Sequence, residues 1–265
     1  MRQTHIAASE RIDSSELGHV GLLPDRLSTS ESSPPRSRSA PDTVAFGRWS
    51  DDREQTCLCH RPLGFDAVVQ RVRLGDWSAR TPCERWDARD LLNHNLRVTR
   101  WIIELTLGNS ALIAATGDPS EIAGPLGDGS VFASYLFRGP AVGPNDDPVA
   151  AWNAGRDAVL EALDQPGATA VHSRSPWGHE VVDDFLGLVF YDPLVHTWDL
   201  AKAIGQTADL DPALTARAIE VIAQPGEGRN LRQPNSLADA VAVSSDADPT
   251  TQLVAASGRD PALWS

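Results

Sequence analysis

Asp192 and His196 stand four residues apart in the segment VVDDFLGLVFYDPLVHTWDLAKAIG, Val181 to Gly205. That is the spacing at which one face of a helix offers an oxygen and a nitrogen to a single metal ion. On a helix, residues three, four and seven apart share a face. By that rule Phe185, Leu188, Asp192, His196, Asp199 and Ala203 form one stripe. Two carboxylates and an imidazole interrupt an otherwise apolar surface. A buried polar group without a partner costs ~2–7 kcal/mol, so these three side chains need partners on the far side of the core. Asp199, one turn beyond His196, is spaced to orient that imidazole from behind the ligand set.

Pro193 complicates the segment. Asp147-Pro148 and Asp211-Pro212 both read as helix starts, with Asp as N-cap and Pro at the first helical position. Asp192-Pro193 has the same form. Either a continuous helix is kinked at Pro193, or Asp192 caps a helix that begins there. The stripe keeps its phase across the proline, which favours the kinked helix, and capping and ligation are compatible roles for one carboxylate.

A third ligand is found on the helix expected from Asp87 to about Leu107. Asp87 and Asp90 form a variant of the capping box, and Leu91, His94, Val98, Trp101 and Leu105 make the buried stripe. His94 is its one polar member. On this helix alone a satisfied core histidine and a ligand are both open readings. If the helices bundle, His94 faces Asp192 and His196. Two imidazoles and one carboxylate with a free fourth position describe a catalytic rather than a structural zinc site. A metal held that way lowers the pKa of a bound water or thiol.

The supporting elements follow in order. A short helix carries Phe65, Val68, Val69 and Val72 and ends near Gly75. The connector DWSARTPCERW holds Trp77 and Trp86, expected to clamp it onto the bundle, and Cys83, expected as a packing residue. After the second helix comes a Gly-, Ala- and Pro-rich connection, Gly108 to Asn145, long enough to serve as a lid or crossover. A helix from Asp147-Pro148 buries Val149, Trp152, Val159, Leu160 and Leu163. A short hairpin is expected within Ala168 to Glu180, and a helix runs from Asp211 to about Ala223. Gln224 to Ser265 reads as an irregular C-terminal wrap. Residues 1–61 read as a disordered N-terminal extension, with residues 62–265 as one folded domain. Within the extension, Cys57, Cys59 and His60 lack the second pair of ligands that a zinc site needs.

Composition sets outer bounds. With a net charge of -13 over 265 residues and a pI near 4.9, the chain lacks the clustered Lys and Arg that a nucleic acid or anionic membrane demands. No apolar run reaches the ~20 residues of a membrane span. The N-terminus has no apolar core of a secretory signal, and three cysteines are too few for a disulfide framework. A cytoplasmic, reduced setting is the expectation. No phosphate-cradling Gly loop or G-x-S-x-G elbow is present.

Three segments, DWSARTPCERWDARDLLNHNL, FLGLVFYDPLVHTWDLAKAIGQ and ASGRDPALW, together resemble the DinB-like superfamily. The branch they resemble holds metal-binding proteins related to the N-terminal domain of mycothiol-dependent maleylpyruvate isomerase. The resemblance runs from about Pro62 onward. It implies an all-α fold, a DinB/YfiT-like four-helix bundle with long crossover connections. It also implies a divalent metal, zinc or nickel, held by His94, Asp192 and His196, the three residues that the stripes select independently. Relatives of this kind use the metal to activate the thiol of mycothiol or bacillithiol for S-transfer or isomerisation. The expected partners are therefore a small-molecule thiol and an electrophilic substrate, with neither nucleic acid nor membrane, and with a second copy of the chain, in a homodimer, as the protein partner. The carboxylate here is Asp followed by Pro, and the larger C-terminal domain of the isomerase is not evident. Two other readings stand beside the enzyme: a metal-binding stress-response or sensor protein without turnover, and a bundle whose polar residues only hydrogen-bond one another.

Overall fold

A computed structural model of the chain describes residues 63–84, 86–108, 141–175, 178–226, 228–232 and 237–264. The expectations for residues 1–61, including Cys57, Cys59 and His60, lie outside the described residues, as does most of the connection after Gly108.

The described chain is mostly helical. Helix α1 (Leu63–Val69) buries Phe65, Val68 and Val69, and a 3-10 turn over Leu74–Ser78 drops Trp77 into the same core. Helix α2 (Ala88–Thr106) starts at the expected box: the Asp90 amide donates to the Asp87 carboxylate at 2.8 Å, and the Asp87 amide donates to Asp90 at 3.3 Å. Helix α3 (Pro148–Leu163) is capped by Asp147, which accepts from the amides of Val149 and Ala150. Its Trp152 is buried edge-on against Phe65, ring centroids 4.9 Å apart, and donates Nε1–H to Asp66 at 2.9 Å.

A two-stranded antiparallel hairpin follows, β1 (His172–Ser175) with β2 (Gly178–Val181), in the register His172 to Val181. It leads directly into α4 (Val182–Val189) and α5 (Tyr191–Ala203). Asp211 caps α6 (Pro212–Ala223), and Asp248 caps α7 (Pro249–Ala256). A last 3-10 turn spans Pro261–Trp264.

Helices α1, α2, α3 and α5 close a ring of contacts: α2 packs on α3 and α5, and α1 packs on α5 and α3. A DinB-like bundle fits this arrangement. A second layer, α6 and α7, packs on the outer side of α5. Two core clusters therefore meet at α5. Leu200 and Ala201 face Phe65, Leu91, Leu92 and Trp152, whereas Val195 faces Ala218, Val221 and Leu253. A helix covered on both sides is buried nearly all round, and from Val195 to Ala201 every residue of α5 is buried. The polar groups of this helix consequently lie inside the molecule.

Two expectations need correction. The segment Val181 to Gly205 is neither one kinked helix nor a helix capped by Asp192, because the break falls at Phe190, between α4 and α5. A proline ring collides with the carbonyl four residues earlier; for Pro193 that residue is Val189, where α4 ends. Pro193 itself sits in the first turn of α5, where amides have no intrahelical acceptor to lose. Phe190 stays in right-handed helical conformation (φ -62°, ψ -17°), which is why the stripe keeps its phase across the break. The C-terminal wrap, in turn, contains α7. Its short PTTQLVAA sequence shows little periodicity, yet Asp248-Pro249 is the same start signal that marks α3 and α6.

Candidate metal centre

Two helices supply the ligand candidates. His94 lies in the second turn of α2, and Asp192 and His196 occupy the first two turns of α5, which packs against α2. His94 Nε2 is 3.2 Å from Asp192 Oδ2, and His196 Nε2 is 3.3 Å from Asp192 Oδ1. The carboxylate thus turns one oxygen to each imidazole. One nitrogen or oxygen from each of the three residues lies within 4.8 Å of the others. The imidazole rings meet nearly edge to face, centroids 4.8 Å apart, and Trp86 covers both at 4.8 Å and 5.8 Å. The structure therefore brings all three sequence-selected residues together.

The cluster is open at one end and sealed at the other. The Asp192 side chain is 29% exposed and that of His94 15%, whereas His196 is 6% exposed and Asp199 fully buried. At the sealed end, Asp199 Oδ2 lies 2.9 Å from His196 Nδ1, as its spacing predicts. With Nδ1–H donating to Asp199, the second ring nitrogen of His196 is fixed toward Asp192.

Two residues that the sequence reading did not place in the site complete this end. Arg259 donates from Nη2 to Asp199 Oδ2 at 2.8 Å and from Nε to Oδ1 at 3.3 Å. Cys83 lies 3.2 Å from Asp199 Oδ2 and 3.1 Å from Arg259 Nη2. Cys83 does border the first core cluster, as a packing residue would, but its sulfur is engaged by charge. Cys83 stands in the segment TPC and Arg259 in the segment GRDPALW. No helical period links them to the stripes, so spacing could not reveal them. Cys83, His196 and Asp199 form a second set with metal-ligand spacing. Arg259, however, places a full positive charge on both Asp199 and Cys83, which repels a cation there.

The charges are strongly coupled. Burial pushes Asp192 up, but the two imidazoles outweigh it and hold the carboxyl well below its ordinary range. Burial pushes His196 down, yet Asp192 and Asp199 raise it well above an ordinary imidazole. His94 is lowered, by burial first, with Asp192 opposing. Burial also pushes Asp199 up, and Arg259 with His196 more than reverses this. Asp192 is thus held ionised beside two imidazoles, of which His196 is favoured as the cation and His94 as the neutral ring. Two imidazole nitrogens and one carboxylate oxygen are the donor set of an open divalent site, and the set fits such an ion.

Arg259 is aimed by local backbone chemistry. Helix α7 ends in a Schellman turn, in which the Gly258 amide donates to the Ala255 carbonyl and the Arg259 amide to that of Val254. Gly258 has φ +89°, and an added Cβ would lie 2.6 Å from Ala238 Cβ and 3.0 Å from backbone atoms of Ala238 and Asp239. Gly258→Ala is therefore expected to lower unfolding stability by ~1–2 kcal/mol or more. Chemical denaturation would read this as an earlier midpoint; an unchanged midpoint would contradict it.

Among the described residues, no helix is long and apolar enough to cross a membrane. The model of the mycothiol maleylpyruvate isomerase N-terminal domain matches residues 64–201, a stretch that contains His94, Asp192, His196 and Asp199. Two Mycobacterium tuberculosis proteins, uncharacterized protein Rv0738 of strain H37Rv and uncharacterized protein MT0763 of strain CDC 1551, are each 30% identical over 200 residues. These alignments cover 74% of this chain and 91% of each relative. No solved structure matches the chain. With the family model spanning more than half of its length, the chain belongs to the mycothiol maleylpyruvate isomerase N-terminal domain family.

Proposed function

We propose that this protein binds a divalent metal, zinc or nickel, through His94, Asp192 and His196, and uses it to activate mycothiol for transfer to, or isomerisation of, an electrophilic small molecule. The observation that carries this reading is the convergence of two imidazoles and one carboxylate within 4.8 Å, open to solvent on the Asp192 side. When bound, such an ion lowers the pKa of a thiol beside it and so supplies a thiolate at neutral pH. The chain's own residues do the rest. His94 and His196 each turn Nε2 toward Asp192, so that the three donor atoms converge. Asp199 accepts from Nδ1–H of His196, so that the proton lost when a metal binds is the one on Nε2. Trp86 packs its ring system against both imidazoles and limits their movement.

The test is turnover of an electrophile such as maleylpyruvate by zinc- or nickel-loaded protein, with and without mycothiol. Conversion is expected only when metal and thiol are both present. Equal conversion without the thiol would contradict the reading. Full metal occupancy with no thiol-dependent conversion across a panel of electrophiles would favour the sensor or stress-response alternative.

A pH dependence follows from the raised His196. In the metal-free protein this imidazole carries its proton above the ordinary value of about 6.5. Its contribution to stability is complete below that value and lost as pH rises through the folded-state pKa. A ligating nitrogen must be unprotonated, so metal and proton compete. Zinc binding at neutral pH is expected to release about one proton and to weaken as pH falls. Calorimetry in buffers of different ionisation enthalpy measures the release; none would contradict the assignment of His196 as a ligand.

A further inference from the structure

Arg259 lies outside the stretch matched by the family model, yet it closes a continuous chain of contacts that ends on a ligand candidate. His196 Nδ1 lies 2.9 Å from Asp199 Oδ2, and Arg259 Nη2 lies 2.8 Å from the same oxygen. The second guanidinium contact, Nε to Oδ1, takes the other carboxylate oxygen. Two contacts to one carboxylate fix its plane, which a single point charge cannot do. A third, from Nη2 to Cys83 Sγ, ties the same guanidinium to the connector before α2, and Nη1 donates to the Ser257 carbonyl at 3.2 Å. The Arg259 side chain is 12% exposed and Asp199 fully buried, so the Asp199 carboxylate depends on protein donors for its partners.

We propose that Arg259 is the positioning residue of the metal centre: through Asp199 it sets the tautomer and tilt of His196, so that the C-terminal α7 segment completes a site whose ligands all lie on α2 and α5. The proposal rests on the metal-binding reading above. It has a further consequence for Cys83. Lodged between Asp199 and Arg259, its sulfur belongs to this buttress rather than to the set of metal ligands.

Arg259→Met and Arg259→Lys in the full chain test it by two readouts. The first is zinc affinity, measured by competition with a chromophoric chelator. Groups that orient a ligand from behind typically contribute about 10–100-fold in metal affinity. Arg259→Met is expected to lose that much, and Arg259→Lys, which keeps one charged donor and the fold, to fall in between. The second readout needs no metal. In the metal-free protein the His196 Nδ1–H proton, identified through His196→Ala, should give a downfield NMR signal protected from solvent exchange. That signal should be lost or exchange-broadened in Arg259→Met and partly restored in Arg259→Lys. Unchanged affinity together with an unchanged signal would overturn the proposal. If the parent protein bound no zinc, the proposed function would fail, and the proton signal alone would still decide whether Arg259 positions His196.

Discussion

Replacing His196 with alanine is expected to abolish metal binding under conditions where the parent protein is fully loaded. His196 Nε2 faces Asp192, and its other nitrogen is held by Asp199, so no nearby group can take its place. Cys83 is the nearest donor of the right chemistry, but it is engaged by Arg259 and Asp199. Removing a ligand should cost more than the ~10–100-fold typical of groups that only orient one. The variant should still fold, because Asp192 keeps His94 and Asp199 keeps Arg259 as partners. Mass spectrometry of metal content together with circular dichroism separates the two effects. A folded His196→Ala protein that retains stoichiometric metal would contradict the ligand assignment.

The second large effect concerns stability. Asp199 is fully buried and is the common partner of His196, Arg259 and Cys83. Asp199→Ala would leave the Arg259 guanidinium nearly buried without a counter-charge. Breaking a buried pair by removing one partner typically costs ~3–5 kcal/mol. A loss of that size is expected in denaturant unfolding of the metal-free protein. The exposed pair Arg217–Glu220 provides the control: its contact is similarly short, 2.9 Å, but its side chains are 33% and 67% exposed. Glu220→Ala should change stability by no more than about 1 kcal/mol. Equal effects at the two sites would show that Asp199 is not the keystone that its contacts suggest.

What could be read from the sequence, and what could not, follows from the range of each signal. The stripes placed His94, Asp192 and His196 on facing surfaces because helical periodicity is local, and apolar neighbours such as Leu91 and Leu188 declare which face turns inward. The caps at Asp87, Asp147 and Asp211 were legible for the same reason, since each binds amides within its own first turn. Asp192 imitated that signal and was not a cap: the steric conflict between Pro193 and Val189 moved the break upstream to Phe190. Arg259 and Cys83 are 60 and 116 residues from Asp199 along the chain, beyond the reach of any periodicity. That the site is open at Asp192 and sealed at Asp199 was equally hidden, because α5 is covered by α1 and α2 on one side and by α6 and α7 on the other, a fact of packing and not of spacing.

The most direct test is X-ray absorption at the zinc edge of the loaded protein, before and after addition of mycothiol. The expected spectrum without thiol shows nitrogen and oxygen neighbours alone at about 2.0–2.1 Å, with the outer-shell pattern of two imidazoles. Mycothiol should add one sulfur at about 2.3 Å. A spectrum indifferent to the thiol would contradict thiol activation, and sulfur already present before its addition would mean that Cys83 is a ligand and that the site is not the one described.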